Sequence, residues 1–216
     1  MEKLEDYGGP RFVNDTFYFG ICKEQIEQHE TADARKKELE EELQSVEYES
    51  PEYWGIEKEL SEVSEEWWRS GTIVIVFAAM CLEALIYDYG ARNTSDNYFD
   101  RYLDHLSPVA KWVVVPQIIT GDSINRDGQA FELLQKLFRK RNELVHSKSE
   151  QVPLDYKEAL VDRIEGNKSD FEEAVADAMR AVFKVTSEMR SMHPESINFA
   201  WYDPGEHGNG PYQKYT

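Results

Sequence analysis

The chain has 216 residues and a formal net charge of −18, from 42 acidic residues against 24 Lys plus Arg. That length suits one well-buried domain, or a domain with an appended module, and a second full catalytic domain is not expected. The charge opposes salt-driven, non-specific binding to a phosphate backbone, so any contact with nucleic acid must be local.

Met1-Glu2-Lys3-Leu4-Glu5-Asp6 carries acid where a signal peptide has a basic region, and no apolar stretch follows, so a cytoplasmic protein is expected. The first thirty residues mix aromatics with Gly8-Gly9-Pro10 and predict an extended lead-in followed by a short helix. From Thr31 to Tyr48 strong helix formers dominate, which predicts a largely solvated helix with a thin contact stripe through Leu39, Leu43 and Val46. Ser50-Pro51 breaks the chain. A helix follows to about Trp68, or continues through Gly71 into the apolar run. The run from Thr72 to Tyr87 falls short of the ~20 residues that span a bilayer and contains Glu83, so it reads as a buried core helix with no membrane partner.

Arg92 to Asn97 has loop chemistry, and a short aromatic helix through Tyr98, Phe99, Tyr102 and Leu106 follows. Ser107-Pro108 starts the next helix, Val109 to Ile119, which Pro116 kinks or shortens. Gly121 to Gly128 is a loop, with Asp127 as the expected N-cap of the helix after it. Beyond Ser147 a linker with Pro153, a weak helix (Asp155 to Ile164) and a break at Gly166-Asn167 precede a last helix, Ser169 to Met192. Residues 193–216 read as an irregular tail. No period-2 strand pattern occurs, so the class is all-α. Cys22 and Cys81 lie far apart, Cys81 in the apolar run, which fits a reducing compartment.

The helix after Gly128 ends in Arg139-Lys140-Arg141-Asn142-Glu143-Leu144-Val145-His146. Leu134, Phe138 and Val145 recur on one side of it, as do Leu133, Leu137 and Leu144, and Arg141 falls within that stripe. A guanidinium there requires an internal carboxylate or a bound anion. Cleavage of RNA by its own 2′-hydroxyl needs a group that moves a proton near neutral pH and a fixed cation for the phosphorane charge, and His146 and Arg141 are of those two types. Their spacing puts them about 140° apart on one helix, so a single helix aims them poorly at one phosphate. The same residues admit a structural reading: Arg141 paired with Glu83, Asn142 and His146 capping the helix, and Arg139-Lys140 complementing its dipole.

Arg141-Asn142, three residues and then His146 resembles the Arg-(x)n-His signature of HEPN domains, and Phe77-Ala78-Ala79-Met80-Cys81-Leu82-Glu83-Ala84-Leu85-Ile86 is similar to a Leu-Glu-centred core helix of that family. The resemblance implies an antiparallel helical bundle over 65–192, preceded by an N-terminal helical extension over 1–64. It further implies a metal-independent endoribonuclease whose paired motifs line a cleft at a homodimer interface, in a toxin, stress or phage-defence setting with an antitoxin or regulatory partner. Arg141, His146 and Asn142 would be catalytic. Arg139 and Lys140 would bind flanking RNA, and Glu83 would position Arg141. The competing expectation is a non-catalytic module that holds a nucleotide or a protein. No cofactor is expected: His29, His105, His193 and His207 are scattered, without metal-ligand spacing, and phosphate-loop and Gly-x-Ser-x-Gly elements are missing. Trp67-Trp68 reads as core or interface rather than a base-stacking platform.

Overall fold

A computed structural model describes residues 11–146, 157–196, 198–199 and 212–215. Every regular element among them is helical: α1 (Asp15–Ser45), α2 (Pro51–Asn93), α3 (Asp96–Tyr102), α4 (Pro108–Thr120), α5 (Gln129–Val145) and α6 (Lys157–Met192), with a 3-10 turn at Gln213–Tyr215. The all-α class thus holds.

α1 is one helix where a lead-in, a short helix and a charged helix were expected. Its buried side is Phe19, Cys22, Ile26, His29, Ala32, Lys36 and Leu39, spaced three or four apart. Several of these are small or polar, so their periodicity is faint in hydropathy. Trp67 of α2 explains two of them. His29 stacks on its indole with centroids 5.1 Å apart, and the Lys36 ammonium sits 4.5 Å from its ring centre. His29 Nδ1 lies 2.9 Å from the Trp67 carbonyl, and burial holds the imidazole below its ordinary pKa, favouring the neutral ring that donates this bond.

α2 begins where Ser50 Oγ accepts the Tyr53 N–H at 3.1 Å, with Pro51 in the first turn. It then runs unbroken to Asn93, so the expected boundary at 64/65 falls inside a single helix. Gly71 does not interrupt it. A Cβ there would lie 2.7 Å from Phe171 and 2.9 Å from Val175, so the glycine serves close approach of α6 rather than a turn. α2 packs against α1, α3, α4, α5 and α6. By length and composition alone α2 is long and apolar enough to cross a membrane, and 56% of its most apolar stretch is buried against the other helices.

Gly90 plays the same part against α3 and α4: a methyl group there would overlap the Phe99 ring and press on Val115. Phe99 and Val115 are fully buried and cannot swing out. Gly90→Ala is therefore expected to cost about 1–3 kcal/mol by overpacking, despite alanine's better helix propensity. A urea melt measures it.

The predicted loop at 92–97 shrinks to Thr94-Ser95, where Ser95 Oγ caps α3 through the Tyr98 N–H at 3.1 Å. Ser107 caps α4 as expected, Pro116 is accommodated within it, and Gly121, at φ 88°, ends it in the left-handed conformation. Gly128, not Asp127, is the N-cap of α5, because Asp127 is held in an Asx turn by Asn125 Oδ1 at 3.1 Å. α6 passes through the expected break at Gly166-Asn167 without interruption. The linker with Pro153 lies outside the described residues.

Of the expected irregular tail, residues 212–215 are docked onto α1. Tyr215 is buried, and its hydroxyl donates to Glu30 at 2.5 Å, where Lys214 Nζ also pairs at 2.6 Å. Tyr212 donates to Glu27 at 2.5 Å. Trp201, Tyr202 and His207 lie outside the described residues.

Candidate functional site

α5 buries Ala130, Leu133, Leu134, Leu137 and Phe138 against its neighbours. Its last turn leaves the core: Leu144 still packs on it, whereas Val145 is 54% exposed. Val145 is thus not part of the buried stripe that its spacing predicts.

The basic cluster divides between two sides of the helix. Arg141 turns toward α2, where its Nη2 donates to Glu83 Oε2 at 2.7 Å and its Nη1 donates to Asn142 Oδ1 at 3.0 Å. The two charged side chains keep 23% and 32% of their surface, so the pair sits at the rim of the bundle rather than within its core. Arg139 and Lys140 turn toward α6. With Lys136 they line an open groove of about 380 Å³ that also carries Glu143, Asp170, Glu173 and Asp177. Lys140 stands 3.5 Å from Glu143, and Lys136 stands 3.1 Å from Glu132.

His146 terminates α5. Its backbone N–H bonds to the Asn142 carbonyl at 2.9 Å, and its side chain is exposed, with no partner among the described residues. Glu83, Arg141 and Asn142 are therefore brought into one hydrogen-bonded group, His146 stands one turn further at the same end, and Arg139 with Lys140 faces a different groove. Within one chain, Arg141 and His146 diverge by about 140° and rise by about 7.5 Å along the helix.

This arrangement offers a guanidinium with donors left over, a side-chain amide whose oxygen faces Arg141 and whose NH₂ has no partner among the described residues, and an accessible imidazole. Because the Arg141–Glu83 pair is about a quarter to a third exposed, water screens it, and breaking it should cost only about 0–1 kcal/mol. Arg141→Ala and Glu83→Gln are thus expected to shift the urea midpoint slightly. A loss above about 3 kcal/mol would instead mark a buried structural pair.

A second polar cluster has no signature in the sequence. The buried Asp88 carboxylate meets Arg11 Nε at 2.9 Å, Arg92 Nε at 2.5 Å and Asn198 Nδ2 at 2.5 Å, and the Arg11 guanidinium also pairs with Asp96 and holds that carboxyl below its ordinary pKa. This cluster ties the segment before α1 and the residues after α6 to the end of α2. Among the described residues no group of His, Cys, Asp or Glu side chains is arranged to hold a metal ion. Cys22 and Cys81 form no disulfide and are both buried, and burial raises the Cys22 thiol well above its ordinary pKa.

No family model matches the chain, and no curated protein or solved structure shows significant similarity to it.

Proposed function

We propose that the protein is a metal-independent endoribonuclease with a HEPN-like bundle, cutting RNA at a composite site formed by two copies of the end of α5. The observation that carries this reading is the placement of Arg141, Asn142 and His146 at one accessible helix end, with Arg141 oriented by Glu83. In the reaction the substrate's 2′-oxygen bonds to phosphorus and the 5′-oxygen leaves. An imidazole accepts the 2′-hydroxyl proton, and a proton is returned to the departing 5′-oxygen. Arg141 offsets the negative charge that builds on the non-bridging oxygens, and the Asn142 amide holds one of them. Arg139 and Lys140 bind the flanking backbone, with local attraction acting against the net charge of −18. The toxin, stress or defence setting, and an antitoxin or other regulatory partner, rest on the family resemblance alone.

One observation favours the second reading, a non-catalytic module for a nucleotide or a protein. Of the three cations at the motif, Arg141 and Lys140 already have carboxylate partners, Glu83 and Glu143. Incubating the purified protein with diverse single-stranded RNAs in EDTA separates the two readings. Fragments ending in 2′,3′-cyclic phosphate are expected, and intact RNA throughout would leave the binding module.

A further inference from the structure

The tip of the α1–α2 hairpin combines exposed aromatic surface with undiluted negative charge. Tyr48 is 69% and Trp54 55% exposed. Tyr53 joins them edge-on, its ring 5.1 Å from that of Tyr48 and 5.3 Å from that of Trp54. Neither the core nor the turn needs these rings outside. The fully buried residues of α2 begin only at Trp67, and the helix start is secured by Ser50 and Pro51. From Glu38 to Glu57 the sequence holds Glu38, Glu40, Glu41, Glu42, Glu47, Glu49, Glu52 and Glu57, and no Lys, Arg or His. Arg35 and Lys36 answer Glu38, Glu42 and Glu40 further down the hairpin. At the tip, Glu47, Glu49 and Glu52 have no cation among the described residues.

We infer that this tip is a docking surface for an arginine-rich protein segment. Tyrosine and tryptophan faces attract a guanidinium, and carboxylates around them supply the counter-charge and hydrogen-bond acceptors that hold it in register. Exposed Trp and Tyr anchors ringed by polar groups are also how protein interfaces concentrate their binding energy. The charge selects the occupant. A phosphate backbone or an anionic lipid surface meets Glu47, Glu49 and Glu52 at the tip, and a second copy of this chain brings the same acidic tip and a net charge of −18. Arginine fits better than lysine, because its planar fork stacks on a ring while bonding a carboxylate in two places. This surface is separate from the end of α5, so the inference stands whether or not the protein cuts RNA.

The test titrates the full chain with oligoarginine and with oligolysine of equal length at physiological salt, by calorimetry. Two tip variants are compared with wild type, Tyr48→Ala combined with Trp54→Ala, and Glu47→Gln combined with Glu49→Gln and Glu52→Gln. A third variant removes as much charge elsewhere, through Asp170→Asn, Glu172→Gln and Glu173→Gln. The arginine peptide is expected to bind more tightly than the lysine peptide, and each tip variant to lose about tenfold in affinity, while the third variant changes little. All four proteins should keep the same helical circular dichroism, since the altered side chains are exposed or at the surface. Absence of binding, equal binding of both peptides, tip variants that bind as wild type, or an equal loss in the third variant would each overturn the inference.

Discussion

Replacing His146 by alanine should abolish RNA cleavage while leaving the fold intact. The side chain is exposed and the residue's one structural contribution among the described contacts is a backbone N–H to the Asn142 carbonyl, which alanine keeps. Loss of helical content is therefore not expected, and the change in stability should stay within about 0.5 kcal/mol. Proton transfer by a placed imidazole is worth about 10²–10⁴ in rate, and the loss approaches the upper end if each of two copies supplies one transfer. The measurement is single-turnover cleavage of a single-stranded RNA in EDTA, beside a urea melt of the same preparation. A purified variant that cuts at the wild-type rate would remove His146 from the site. Asn142→Ala should be milder, because it withdraws one neutral hydrogen-bond donor from a charged oxygen.

The parts of this fold that could be read from sequence are those whose signals are local. Ser50-Pro51 and Ser107-Pro108 start helices because a hydroxyl and a proline answer the unpaired N–H groups of the first turn within three residues. The interior of α5 is legible in the same way, from Leu133, Leu134, Leu137 and Phe138. Gly71 and Gly90 mislead or say little, since a glycine is a turn signal in isolation and a close-packing device when Phe171 or Phe99 lies over it, whereas Gly166 has open space around it and α6 simply continues through it. α1 escapes periodicity analysis because its buried side uses His29 and Lys36, which are apolar in effect only against Trp67. The same limit applies at the site. The Arg141–Glu83 partnership is among the readings the residue types admit, but its position at the rim depends on where α5 leaves α2. The turn of Arg139 and Lys140 toward α6 likewise depends on the packing of that helix. The Asp88 cluster joins Asp88 to Asn198, 110 positions further on, and to Arg11 near the start of the chain, and nothing in local sequence marks it.

Cleavage is expected to depend on dimerisation, and this effect should be as large as the loss of the imidazole. One chain holds Arg141 against α2 and carries His146 about 140° away around the helix, so a single chain aims the two poorly at one phosphate. Two α5 ends meeting across a two-fold axis would place an imidazole of one copy beside a guanidinium of the other. Val145, more than half exposed beside the motif, offers the apolar contact such a junction needs. Repulsion opposes it, because each copy carries a net charge of −18 and the junction also gathers two sets of Arg139, Lys140 and Arg141. A bound RNA segment relieves the local part of that repulsion, so substrate should tighten the dimer. Specific activity should then fall on dilution and recover with RNA concentration, in step with the dimer fraction from light scattering. Val145→Asp should lower both together by placing a carboxylate at the junction, without a comparable loss in the urea midpoint of the monomer. A protein that stays monomeric at every concentration and keeps a constant specific activity would exclude the composite site, and would require Arg141 and His146 to act on one phosphate from the same helix.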